Sequence, residues 1–131
     1  MAVSAAEQLL IELINRARLD PLGEAARYGS DLNEGLRPGT LDGSSRQVLA
    51  PNALLHDAAE VHSRWMLVTN TFSHSGDGGD TPHARMAAAG YSFAPPWSNG
   101  ENFAWTGSSR TLAEVDALSQ MHRNLFLSSG H

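Results

Sequence analysis

The chain has 131 residues, 41% of them hydrophobic and 18% charged, which suits one domain with one core and is too few for two ordinary ones. It contains no cysteine, so thiol chemistry, a disulfide scaffold and cysteine-ligated zinc are all excluded. The formal net charge is -5 and all nine basic residues are arginine, with no basic cluster of the kind that engages phosphates, so nucleic acid is not expected as a partner.

Eighteen Ala and 16 Leu stand against 5 Val and 2 Ile, a balance that favours helix over sheet. No apolar run approaches the roughly 20 residues that span a bilayer, and no membrane span is expected. The N-terminal stretch through Arg18 lacks the order of a secretory signal, since Glu7 and Glu12 interrupt its apolar residues and no basic segment precedes them. It reads as a helix. Ser4 and Glu7 form a capping box, and Leu9, Leu10, Leu13, Ile14 and Ala17 recur on one face. Asp20-Pro21 ends that helix and starts a short second one to about Tyr28, with Asp20 as cap, Pro21 in the first turn and Glu24 closing another box.

Residues 29–51 are rich in Gly, Ser, Asp, Asn and Pro and read as a long surface loop. A helix from about Ala53 to Thr69 follows, with Leu55, Ala58, Ala59, His62, Trp65, Met66 and Thr69 on its buried stripe. Residues 70–80 read as a turn and loop. Thr81-Pro82 starts a short helix that Gly90 ends. Glu101–Trp105 is the one candidate strand. Thr111 and Glu114 form a third capping box for a last helix whose stripe is Leu112, Val115, Leu118, His122 and Leu125.

Six histidines are the most telling chemical feature, because imidazole both binds metal and exchanges protons near neutral pH. His74, in Phe72-Ser73-His74-Ser75-Gly76, is placed to present a ring nitrogen to a cleft. Glu101, in Asn99-Gly100-Glu101-Asn102, follows a glycine that would let the backbone approach closely. Together they supply two donors of a divalent-metal site, or an acid/base pair; alternatively they are a hydrogen-bonded loop His and an ordinary turn Glu. His62 and His122 fall on apolar helix faces and read as core histidines satisfied by backbone or hydroxyl groups, while His56 and His83 read as solvated. Asp77-Gly78-Gly79-Asp80 offers too few carboxylates for calcium and reads as a turn. Trp97, after two prolines, could line a groove. Zincin, esterase, phosphate-loop and dinucleotide signatures are missing.

Several short motifs in order carry a resemblance. Leu13-Ile14-Asn15-Arg16-Ala17-Arg18 with Asp20-Pro21, then Ala58-Ala59-Glu60-Val61-His62-Ser63-Arg64-Trp65-Met66, Phe72-Ser73-His74, Thr81-Pro82, Ala89-Gly90-Tyr91, Gly100-Glu101-Asn102-Phe103-Ala104 and Ser128-Ser129-Gly130-His131 resemble the bacterial branch of the CAP superfamily. That superfamily includes cysteine-rich secretory proteins, insect-venom antigens and plant pathogenesis-related proteins. The resemblance implies an α+β fold, the α-β-α sandwich of that family, with this chain covering mostly its helical N-terminal part. Residues 1–131 would then be a single CAP domain truncated at its C-terminus.

The resemblance also implies a cleft that binds a divalent metal, zinc foremost, through His74 and Glu101. A further family Glu falls near Ser128 and is missing. His131 matches the His of the bacterial Ser-Pro-Gly-His element, with Ser129 in place of Pro, and is the third candidate ligand. The implied function is a secreted, extracellular module whose cleft takes a metal, a small apolar ligand or a protein partner without established turnover. One alternative is a hydrolase in which His74 or a bound metal activates water and Glu101 is the general base. Another is a structural or adhesive module in which the cleft has no ligand. An incomplete core would favour self-association.

Overall fold

The computed structural model describes residues 3–131. It contains α1 (Ala5–Leu19), α2 (Pro21–Arg27), α3 (Ala53–Thr69), α4 (Pro82–Ala88) and α5 (Glu114–Leu127), with a 3-10 turn at Asp77–Gly79 between α3 and α4. Among the described residues there is no strand. The expected α-β-α sandwich is therefore overturned, and with it the short strand at Glu101–Trp105. The physical reason is that a strand is held by a ladder of hydrogen bonds to a neighbour, and no segment here offers one, so residues 101–105 stay irregular. What forms instead is what an Ala- and Leu-rich chain favours: helices, none of them long and apolar enough to cross a membrane.

The elements fall into two compact units, residues 51–101 with Val3, and residues 4–50 with 102–131. In the second of these, α1 packs on α2 and α5. The Ser4–Glu7 capping box is complete, with Glu7 N–H donating to Ser4 Oγ at 3.2 Å and Ser4 N–H to Glu7 Oε2 at 2.7 Å. Asp20 caps α2 as expected, its Oδ1 accepting from Gly23 N–H at 2.9 Å. Glu24 does not close the box. Its side chain turns inward and is fully buried, because three cationic or imidazole donors stand there and outcompete a single backbone N–H. Leu13 and Ala25 supply the buried apolar contacts.

Loop 29–50 is tied down by side chains that imitate backbone. Asn15 of α1 receives Leu49 N–H at its Oδ1, 2.8 Å, and donates Nδ2 to Leu49 O, 2.9 Å. Asn33 treats Leu41 the same way at 2.8 and 3.0 Å. Helix α5 begins later than its expected cap: Ala113 is the N-cap, Thr111 makes no capping bond, and Leu112 and Val115 stay exposed, so the buried stripe runs only over Leu118, His122 and Leu125.

In the 51–101 unit α3 packs on α4. Asn52 caps α3 by accepting from Leu54 and Leu55 N–H. Ala58 and His62 are buried, with Leu55, Trp65 and Met66 half-buried on the same stripe, while Val61, Leu67 and Val68 point outward. Thr81 caps α4 through Ala84 N–H, with Pro82 in the first turn, and Gly90 after its end adopts φ +91, a conformation costly for any residue with a Cβ.

Candidate functional site

The deepest polar cluster of the 51–101 unit is built by the loop that follows α3. Asn70 ends the helix in the left-handed region at φ 51, and the chain doubles back so that Gly76 N–H donates to Asp80 O at 3.1 Å. The 3-10 turn at Asp77–Gly79 is the turn expected there. Gly76 is buried against the cluster: a Cβ on it would lie 2.5 Å from Asp80 Oδ1, 2.9 Å from Arg85 Nη1 and 3.1 Å from His62 Nδ1. Only glycine leaves room for those three groups. Gly100, by contrast, has nothing within 4 Å of the corresponding position, so the close backbone approach expected beside Glu101 does not occur.

Helix α4 then points Arg85 inward, where its residue is only 7% exposed. Its Nη2 donates to Glu101 Oε2 at 2.7 Å and to His74 O at 3.0 Å, and its Nη1 donates to Asp80 Oδ1 and O. Burial would lower the pKa of this guanidinium, but the hydrogen bonds to Glu101 and Asp80 outweigh it, and the pKa rises above its ordinary value. The other oxygen of Glu101 lies 2.9 Å from His74 Nδ1 and 3.8 Å from His62 Nε2.

These contacts assign the protons. A carboxylate ion-paired to an arginine accepts only, so His74 carries its proton on Nδ1 and donates it to Glu101. His62 Nε2 lies 2.9 Å from Ser73 O, a carbonyl that likewise only accepts, so His62 is protonated on Nε2 and anchors the loop. His62 is thus the core histidine expected from its face, with Nε2 held by a backbone carbonyl, while its buried Nδ1 lacks, among the described residues, the hydrogen-bond partner expected for it. In neutral His74 the lone pair sits on Nε2, and the ring is 55% exposed.

His74 and Glu101 are therefore brought together. His131 belongs to the 4–50/102–131 unit, where it is exposed and its Nδ1 lies 2.8 Å from Ser128 Oγ. As a metal position the 51–101 cluster fits in one form only. His74 can offer Nε2 to a divalent ion while Glu101 holds the ring from behind, the carboxylate–histidine arrangement found behind many metal ligands. The cluster does not fit a closed four-ligand centre, because both oxygens of Glu101 and Nε2 of His62 already have hydrogen-bond partners.

Arg85 and Asp80 were not legible as site residues in the sequence. A second donor group was also missed: His56, Asp57 and Glu60 on α3 have ligand atoms within 4.8 Å of one another, although Glu60 also accepts from Arg64 at 2.7 Å. His56, expected in solvent, has a side chain only 14% exposed. His83, likewise expected in solvent, stacks on Trp97 with centroids 4.7 Å apart and also touches Phe93 at 4.4 Å, so Trp97 packs against a histidine instead of lining an open groove.

The 4–50/102–131 unit has a polar centre of its own. Glu24 accepts two bonds from Arg16, at 2.8 and 2.6 Å, one from His122 Nε2 at 3.0 Å and a longer one from Arg27 at 3.4 Å. His122 is buried as expected, but its partner is this carboxylate and not backbone or hydroxyl, since α2 places Glu24 opposite α5. Burial pushes the Glu24 carboxyl up, yet the hydrogen bonds from Arg16, His122 and Tyr28 prevail and hold it down at about 2. The network ties α1, α2 and α5 together and presents no exposed reactive atom, so it is a fold element.

No family model, curated protein or solved structure matches this chain.

Proposed function

We propose that this chain is an extracellular binding module with short motifs resembling those of the bacterial CAP branch, in which the His74–Glu101 pair takes a divalent cation, zinc by preference, through His74 Nε2. The observation that carries the reading is the 2.9 Å bond between His74 Nδ1 and a Glu101 carboxylate that is itself fixed by buried Arg85. That pairing puts the ring proton on Nδ1 and leaves Nε2 as the basic nitrogen of the neutral ring. An imidazole nitrogen suits zinc, nickel or copper better than the oxygen-seeking calcium and magnesium. The ordered motifs shared with the bacterial CAP branch support the extracellular setting. His74, Glu101 and Arg85 bind, orient and hold the ring, which supports a reading of binding without turnover.

The test is calorimetric titration with zinc in a His56→Gln, Glu60→Gln background, which removes the donor group on α3. One equivalent should bind, His74→Ala should abolish it, and Glu101→Gln should weaken it by roughly 10–100-fold, the usual effect of losing a partner behind a ligand. Unchanged affinity in His74→Ala would refute the proposal.

A further inference from the structure

Arg85 is the only buried arginine among the described residues, and its polar contacts lie on the site and on the loop that carries it. A single nitrogen, Nη2, bridges Glu101 Oε2 at 2.7 Å and the main-chain oxygen of His74 at 3.0 Å. It therefore fixes the carboxylate and the backbone of the histidine relative to each other. The second nitrogen secures Asp80, whose carbonyl also receives Gly76 N–H at 3.1 Å and so closes the loop from its far end. With Arg85 counted +1 and Glu101 and Asp80 -1 each, the cluster carries one net negative charge, which favours a cation over an anion.

Lysine cannot reproduce this. Its ammonium is a single point, whereas the planar fork of arginine reaches two carboxylates and two carbonyls from fixed directions. Without the fork, Glu101 loses the partner on Oε2 and is able to rotate, and the His74 ring loses a fixed acceptor for Nδ1–H. Neutral imidazole then exchanges between its two proton positions, and the Nε2–H form cannot accept a ligand through that nitrogen.

We infer that Arg85 is the positioning residue that sets the tautomer of His74, holding Glu101 and the His74 backbone in one grip so that the ring proton stays on Nδ1 and Nε2 faces the ligand. The inference deepens the proposed function and rests on it for its consequence in binding, but its first readout needs no metal. The experiment is 15N NMR of the histidine side chains in the metal-free protein above the pH where the rings are neutral, comparing the wild type with Arg85→Lys and Arg85→Gln.

In the wild type the His74 Nε2 signal should lie in the unprotonated range and Nδ1 in the protonated range. Both variants should move the two signals toward each other, while His122, in the other unit, keeps its wild-type pattern as a folding control. Zinc affinity should fall roughly 10–100-fold alongside. Arg85→Lys serves as the reporter if Arg85→Gln does not fold. A His74 pattern unchanged in a folded Arg85→Lys overturns the inference, as does an equal change at His122, which would mean general loosening. If the wild type binds no zinc but the tautomer responds, the metal reading falls and the role of Arg85 stands.

Discussion

Glu24 makes the strongest quantitative demand on the structure. Among the described residues it is the one carboxylate that is fully buried, at 1% exposure, and its pKa is held at about 2 against an ordinary 4.5. Such a depression corresponds to about 3 kcal/mol of stability at neutral pH, since the folded state holds the ionised form more tightly than the unfolded chain does. The sign follows directly. The contribution is complete above about pH 5, where both states are ionised, and is lost as the pH falls from there toward 2, where the unfolded carboxyl has taken up a proton and the folded one is about to.

Urea unfolding at a series of pH values between 7 and 2, on the wild type and on Glu24→Gln, isolates this term from the other carboxylates. The two curves should be separated at pH 7 and converge by about 3 kcal/mol on acidification, with unchanged denaturant slope. If both proteins lose stability in parallel over that range, the Arg16–Glu24–His122 network is not the source of the dependence. Should Glu24→Gln not fold, a carboxyl 13C titration of the wild type makes the same test, with an inflection in the ordinary range refuting the account.

Gly76→Ala should cost about 1–3 kcal/mol, because the added Cβ meets Asp80, Arg85 and His62 at once, whereas Gly100→Ala should leave the thermal midpoint unchanged. Thermal unfolding of the pair checks both. Asn15→Ala should release the loop at Leu49: the Leu49 amide should lose most of its hydrogen-exchange protection, with a global cost of about 1 kcal/mol.

Local chemistry was legible wherever one residue acts on its neighbours. Ser4–Glu7, Asp20-Pro21, Thr81-Pro82 and Gly90 mark helix ends through bonds made within one turn, so their spacing alone suffices. The same logic failed at Glu24 and at Thr111. Glu24 stands where a capping box would use it, but the donors that claim it come from α1 and α5, one of them 98 residues away. Thr111 stands three residues before Glu114, yet Ala113 is the N-cap instead. The resemblance to a sandwich family also suggested strands that the chain does not form, since β pairing depends on a partner edge and not on the residues of one segment.

The candidate site divides in the same way. His74 and Glu101 could be singled out by residue type, and the tertiary structure brought them to 2.9 Å. Arg85 gave no sign, because an arginine in the middle of a short helix usually lies at the surface, and Asp80 read only as part of a turn. The burial of Arg85 is decided by the loop from His74 to Asp80, which folds three acceptors over it, and by Glu101, which supplies a fourth. The sequence by itself determined the helices, their caps and the residue types able to hold a proton or a cation. Only the tertiary structure decided which oxygen faces which nitrogen, and so where the proton on His74 resides, because that depends on acceptors drawn together from separate segments of the chain.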